Sequence, residues 1–130
     1  MNLIVAFISL FIISTNALAG WTEMGAPSSG RFKVYVDYNS IFKDVNTITF
    51  WMLTDWKEVK ESSGDKRLSE LQRIKLDCKK RTMKILDFSW HSKNMGLGSL
   101  VYSRSNINSE PISVAPMTID EVVLNKLCFK

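Results

Sequence analysis

The fold is organised around residues 73–90, which read RIKLDCKKRTMKILDFSW. Ile74, Leu76 and Cys78 alternate there with charged residues, and this period of two is typical of a strand with one buried face. The alternation breaks at residues 80–82 and resumes at Met83 and Ile85, which predicts a bulge or a tight hairpin. One face of this stretch therefore points into a core.

The other face of the same stretch is basic. Its cations are Arg73, Lys75, Lys79, Lys80, Arg81 and Lys84, against Asp77 alone. Because strand residues two apart share a face, we expect Arg73, Lys75 and Lys79 to form a positive row. Two interpretations stay open: a solvated face that discourages edge aggregation, and a docking surface for an acidic protein, glycan or lipid head group.

The first nineteen residues have the pattern of a signal peptide. An apolar run at residues 3–13 is followed by a polar break and by Ala17-Leu18-Ala19, a cleavage signal of small residues. The run is short of the roughly 20 residues that span a bilayer. We therefore expect residues 1–19 to be removed on export, leaving one domain at residues 20–130 with no transmembrane span, in the periplasm or at the outer surface.

Cys78 and Cys128 are the only two cysteines. In an exported chain two cysteines predict one disulfide. The net charge of +4 is mild, which favours acidic partners slightly and does not indicate nucleic-acid binding.

Hydrophobic periodicity predicts an α+β domain. Residues 32–36, 47–56 and 99–104 are predicted strands, and 47–56 has apolar residues on both faces, which is typical of a central strand whose second face is partly covered. Residues 57–66 are charged and predict an exposed hairpin loop. A final helix begins at Thr118, where Thr118 and Glu121 form a capping box and Met117 with Val122 a hydrophobic staple. Its apolar stripe should pack on the sheet.

The sequence contains no recognisable catalytic or cofactor motif. His91 is the single histidine and lies in a polar loop. No close cluster of Cys, His, Asp and Glu suits a metal ion, and no glycine-rich phosphate loop is present. Asp37 and Asp55 are acidic candidates, but turn and strand-end roles explain both. We predict a protein that is not an enzyme and that needs no cofactor or metal.

The chain from residue 20 onward resembles the surface-adhesin E family of bacterial envelope proteins. The motifs that carry the resemblance are Asp37-x-x-Ser40-Ile41, Phe50-Trp51-x-Leu53-x-Asp55-Trp56, Leu76-Asp77-Cys78-x-x-Arg81, Gly96-x-Gly98, Pro116-Met117-Thr118 and the terminal Cys128. The chain lacks the lipid-bearing cysteine of the founding adhesin. It also lacks the tryptophan and the glycine that the family often carries near Glu110 and at Met117.

The resemblance implies an antiparallel sheet of about six strands with a C-terminal helix packed on it, and pairing of Cys78 with Cys128. It also implies a non-catalytic, adhesion-like module that binds extracellular-matrix-type partners, here through the basic sheet face. The alternative is a periplasmic structural or inhibitory protein that binds another bacterial protein. Association of two copies stays open.

Overall fold

The computed structural model describes residues 20–129. The predicted signal peptide, residues 1–19, lies outside these residues. The strands are β1 (Trp21–Gly25), β2 (Phe32–Asp37), β3 (Phe42–Asp44), β4 (Thr47–Ser62), β5 (Asp65–Asp77), β6 (Thr82–His91), β7 (Leu100–Arg104) and β8 (Ile112–Ser113), and the helix is α1 (Ile119–Cys128). Within the described part of the chain, no helix has both the length and the apolar character needed to cross a bilayer.

The strands form one antiparallel sheet in the order β1-β2-β4-β5-β6-β7, with β3 beside β4 and β8 beside β6. The sheet has eight strands, so the prediction of about six was too low. The prediction of an antiparallel sheet with a C-terminal helix is confirmed. The two shortest strands, β3 and β8, contain three and two residues, which is too short for a period of two to be visible in the sequence.

The predicted loop at residues 57–66 is wrong, because β4 and β5 continue through it as a long hairpin. Pairing extends to Lys60 with Arg67 and to Ser62 with Asp65. Ser63 and Gly64 form the turn with φ of 51° and 85°, as a two-residue hairpin turn with two left-handed residues requires. The charged side chains that suggested a loop are tolerated because this part of the hairpin is largely exposed.

The core lies between α1 and one face of the sheet, which we call the inner face. Phe50 and Ile74 are neighbours across β4 and β5, as are Ile48 and Leu76, and each of these four side chains is at most 4% exposed. Helix residues Val123, Leu124 and Leu127 pack on this layer. Two layers of apolar side chains, one from the helix and one from the sheet, thereby exclude water from the middle of the domain.

The helix begins as predicted at Thr118. The Thr118 Oγ1 atom accepts a hydrogen bond from the Glu121 backbone N–H at 3.2 Å, while the Glu121 carboxylate accepts one from the Met117 N–H at 3.3 Å. The predicted staple is wrong, because Met117 is 98% exposed. Its φ of 62° turns the chain away from the helix, so the cap rests on hydrogen bonds alone.

Cys78 and Cys128 form the predicted disulfide, with Cα atoms 5.7 Å apart. Cys78 directly follows β5, and Cys128 is the last residue of α1. The bridge therefore fastens the end of the helix to the end of the central hairpin.

The second face of the sheet, the outer face, is covered at one end by residues 92–98. Ser69 Oγ donates to the Lys93 carbonyl at 2.6 Å and accepts from the Gly96 N–H at 2.9 Å. Leu53 lies below this loop and is 0% exposed. Partial cover on the second face of β4 agrees with the prediction for a central strand.

Candidate functional site

The basic residues of the β5–β6 hairpin lie in two settings, the outer face of the strands and the turn between them. Arg73 and Lys75 project from the outer face of β5, and Lys84 lies directly opposite Lys75 on β6. Lys79 and Lys80 lie in the turn after β5 ends at Asp77, so the predicted row of Arg73, Lys75 and Lys79 does not continue along one strand.

Two of the six cations are held by carboxylates. The Arg73 guanidinium donates to the Asp87 carboxylate across the hairpin. The Arg81 guanidinium contacts Glu121 of the helix at 3.3 Å. These pairs leave less of their charge available to a partner.

The four remaining lysines form what we call the lysine face: Lys75, Lys79, Lys80 and Lys84. None of them makes an ion pair within residues 20–129. Lys75 and Lys84 are direct cross-strand neighbours, a position at which like charges repel each other. Asp77 lies close by and offsets one of the four charges; its carboxylate accepts from the backbone N–H groups of Lys79 and Lys80 at 3.1 and 2.9 Å. The structure therefore concentrates unpaired positive charge on a rigid hairpin.

Asp87 accepts from Arg73 and offsets part of the positive charge that Arg73 would present to a partner. The backbone N–H of Asn106 donates to its carboxylate at 2.9 Å. This bond is the main cause that lowers the pKa of Asp87; partial burial opposes it, and Arg73 lowers the pKa further. A carboxyl whose pKa is lower in the folded state stabilises the fold above its unfolded pKa, and this stabilisation is lost as the pH falls through the folded-state pKa.

We expect Asp87→Asn to lower the free energy of unfolding at pH 7 by about 1 kcal/mol, the usual value of one hydrogen bond. The effect should be no larger, because the Arg73 side chain is 37% exposed and solvent screens the pair. The difference in unfolding free energy between wild type and the variant should shrink as the pH falls below about 4, where the carboxyl of the unfolded chain becomes protonated. Urea denaturation at a series of pH values measures it, and an unchanged difference at about pH 2 would contradict this role.

A second surface, on the inner face, was not predicted from the sequence. The helix covers only one end of that face, and beside its first turn lies a groove of about 1010 Å³. Phe32 and Trp56 form one wall, with ring centroids 4.9 Å apart. Further along the same face the Arg67 guanidinium lies 3.9 Å from the ring centre of Trp90, and Trp90 packs on Tyr102 at 5.1 Å.

Two partly buried carboxyls line this groove, Glu70 and Asp120. Burial raises the pKa of Glu70, and Arg67, Gln72 and Trp90 partly offset the increase. Burial also raises the pKa of Asp120, for which the described residues supply no ion pair. The Trp56 indole N–H is buried without a hydrogen-bond partner among residues 20–129. An unpaired indole N–H and partly buried carboxyls beside aromatic rings are the few polar groups in an apolar surface that a binding groove presents.

The sequence shows Trp56, Trp90 and Tyr102 as large aromatic residues in predicted strands or beside them, but it does not fix which face of the sheet they occupy. The structure places them on the inner face, whereas Lys75 and Lys84 lie on the outer face. Trp90 pairs with Glu70, and Lys84 pairs with Lys75. Residues 70 and 75 are an odd number of positions apart on β5, so they point to different faces of the sheet. The alternation of Phe88 and Trp90 is visible in the sequence, but the face that they occupy depends on a bulge in β6.

The acidic and histidine candidates have local structural roles. Asp37 accepts from the Asn39 N–H at 3.0 Å, and Asp55 accepts from Asn94 and from the Met95 N–H at 3.0 and 2.8 Å. His91 Nε2 lies 2.8 Å from Ser89 Oγ, and burial lowers its pKa. Residues 20–129 contain no group of three or more His, Cys, Asp or Glu side chains that would suit a metal ion.

Comparison with known proteins gives a consistent picture. The family model described as surface-adhesin protein E matches residues 21–129. Two solved structures of Haemophilus influenzae protein E superpose with TM-scores of 0.61 and 0.60 at 14% and 16% sequence identity; they cover 85% and 73% of this chain and 84% and 79% of their own. At this identity the structures show a shared fold. No curated protein sequence gave a significant match.

Proposed function

The chain belongs to the surface-adhesin protein E family. On that premise we propose that it is an exported, non-catalytic binding module, and that acidic or extracellular-matrix-type partners bind to its lysine face. Membership supports an adhesin-like surface protein. The lysine face supports the more specific part of the proposal, because its positive charge would attract a negatively charged partner to this part of the surface.

One observation carries the proposal: four lysines without an ion pair among residues 20–129 lie on a hairpin that is fixed at its turn. Cys78 begins that turn and is bonded to the helix. Its N–H also donates to the Asn46 carbonyl at 2.8 Å. A fixed array of cations loses little conformational freedom on binding beyond that of the side chains themselves.

The test is binding of immobilised heparin, an acidic glycan, to the domain of residues 20–130 by surface plasmon resonance. Changing Lys75, Lys79 and Lys84 together to Gln should reduce the affinity by roughly tenfold to a hundredfold, since each lost charge is worth about 0.5–1 kcal/mol. Wild-type affinity should fall as salt is raised, because the Debye length shrinks from about 10 Å at 0.1 M to about 3 Å at 1 M.

A variant with the same loss of charge provides the matched control. Lys57, Lys66 and Lys93 are exposed and lie near the far end of the central hairpin or in the loop that follows β6. Their joint change to Gln should leave heparin affinity within about twofold and the melting temperature unaltered. Equal losses in the two triple variants would mean that only net charge matters and would refute a defined docking face.

The inner-face groove favours a second candidate function: a structural or inhibitory protein that holds a segment of another bacterial protein. The supporting observation is that Trp56, Glu70 and Asp120 all line one open groove. A partner captured by wild type and lost by Trp56→Ala, but retained by the lysine-face variant, would favour this function over adhesion.

A further inference from the structure

One end of the domain combines exposed apolar side chains with lysines, and we call it the disulfide end. It consists of the β3–β4 turn (residues 44–46), the β5–β6 turn (residues 78–81) and the end of the helix at Cys128 and Phe129. The hydrogen bond from Cys78 N–H to the Asn46 carbonyl joins the two turns. The Cys78–Cys128 disulfide joins the helix to them.

Two apolar side chains at this end are open to solvent. Val45 is 92% exposed at the tip of the β3–β4 turn, and Phe129 is 63% exposed directly after the bridge. The Asp44 carboxylate accepts from the Val45 N–H at 2.8 Å and holds the tip in place. Single exposed apolar residues are common on proteins, but these two lie at one end of the domain, where the disulfide joins the helix end to the turns.

Four lysines lie around these apolar side chains. Lys43 and Val45 line one shallow cavity together with Cys128. Lys43 and Lys126 line the next, where Lys126 Nζ also donates to the Met24 carbonyl at 3.2 Å. Lys79 and Lys80 follow Cys78 in the adjoining turn and are exposed. Against these four lysines stand two acids, Asp44 and Asp77, so this end carries a net positive charge.

We propose that the disulfide end contacts the surface of a phospholipid bilayer that contains anionic lipid. Apolar side chains at turn tips can enter the boundary between head groups and acyl chains, while lysines around them bind lipid phosphates. Apolar contact alone or basic charge alone gives weak attachment, whereas the two together give stable binding to an anionic membrane surface. A purely acidic soluble partner would leave Val45 and Phe129 without a role.

This membrane contact goes beyond the proposed binding of acidic partners. The two surfaces share Lys79 and Lys80, but the apolar residues belong only to the disulfide end. Variants in these apolar side chains therefore separate the two proposals.

The experiment is co-sedimentation of the domain of residues 20–130 with vesicles of phosphatidylcholine alone or in equimolar mixture with phosphatidylglycerol. Wild type should bind the mixed vesicles and bind phosphatidylcholine weakly. Val45→Ser combined with Phe129→Ser should lower the partition coefficient about tenfold or more, because each lost side chain removes apolar area from the lipid contact. Lys43, Lys79 and Lys80 changed together to Gln should lower it on the order of a hundredfold.

Matched changes at the other end of the sheet serve as controls. Val59 is 55% exposed near the far end of the β4–β5 hairpin, so Val59→Ser should leave the partition coefficient unchanged, as should the triple change of Lys57, Lys66 and Lys93. The Val45 and Phe129 double variant should also keep wild-type heparin affinity. Failure of wild type to bind mixed vesicles, or equal losses from the Val45 and Phe129 double variant and from Val59→Ser, would overturn the membrane proposal while leaving the heparin result to decide the lysine face.

Discussion

Val123→Asp should remove most of the stability of the domain. Val123 is 0% exposed and packs with Leu124 and Leu127 on the inner face of the sheet. A carboxylate there would be buried without a counter-charge, and such changes cost several kcal/mol, roughly 4 or more. Because small domains are stable by only about 5–15 kcal/mol, we expect a large drop in the melting temperature or an unfolded protein, measured by circular dichroism.

Asn125→Asp is the matched control for this change. Asn125 is exposed on the same helix, two residues further along, so the same charge stays in water there. A small cost of about 0.3–1 kcal/mol is expected, because a negative charge near a helix C-terminus opposes the helix dipole. Similar losses for the two variants would mean that the helix does not pack on the sheet.

Loss of the disulfide should be the second large effect. Cys78 and Cys128 are separated by 50 residues in sequence, and the loop-entropy relation assigns about 4 kcal/mol to closing a loop of that size. The double variant Cys78→Ser/Cys128→Ser should therefore unfold at a clearly lower urea concentration than the oxidised wild type. Both cysteines are replaced together so that no free thiol remains.

Reduction of wild type provides an independent comparison for the same prediction. Reduced wild type and the double variant should unfold at similar urea concentrations, since both lack the cross-link and keep similar side-chain volume. Coincidence of the oxidised and reduced curves would contradict a stabilising role. The same variants bear on the membrane proposal, because the disulfide attaches Phe129 to the two turns at that end.

Helix packing and the disulfide hold the parts of the fold that carry the two proposed surfaces. Helix packing fixes the inner face, and the disulfide fixes the turn that carries Lys79 and Lys80. The variants on the lysine face and at the disulfide end change side chains that are exposed or half-buried, so they should change binding with little change in melting temperature. Binding losses can therefore be separated from unfolding.

Several features of this protein follow from the sequence alone. The alternation of Ile74 and Leu76 predicted their burial in a strand, and Thr118 with Glu121 predicted where the helix begins. With only two cysteines in the chain, one disulfide was possible once export to an oxidising compartment was predicted. These features depend on neighbours in sequence or on composition, so local periodicity and capping chemistry are enough to find them.

Tertiary structure alone decided which cations are unpaired and which face carries the aromatic residues. Ile85 pairs with Ile74, but Asp87 pairs with Arg73, so Leu86 is the extra residue of a bulge in β6. A shift of one residue moves every later side chain to the opposite face. The bulge thereby brings Asp87 to Arg73 on the outer face and turns Trp90 inward. Its position depends on the burial of the whole core, which no short window of sequence contains.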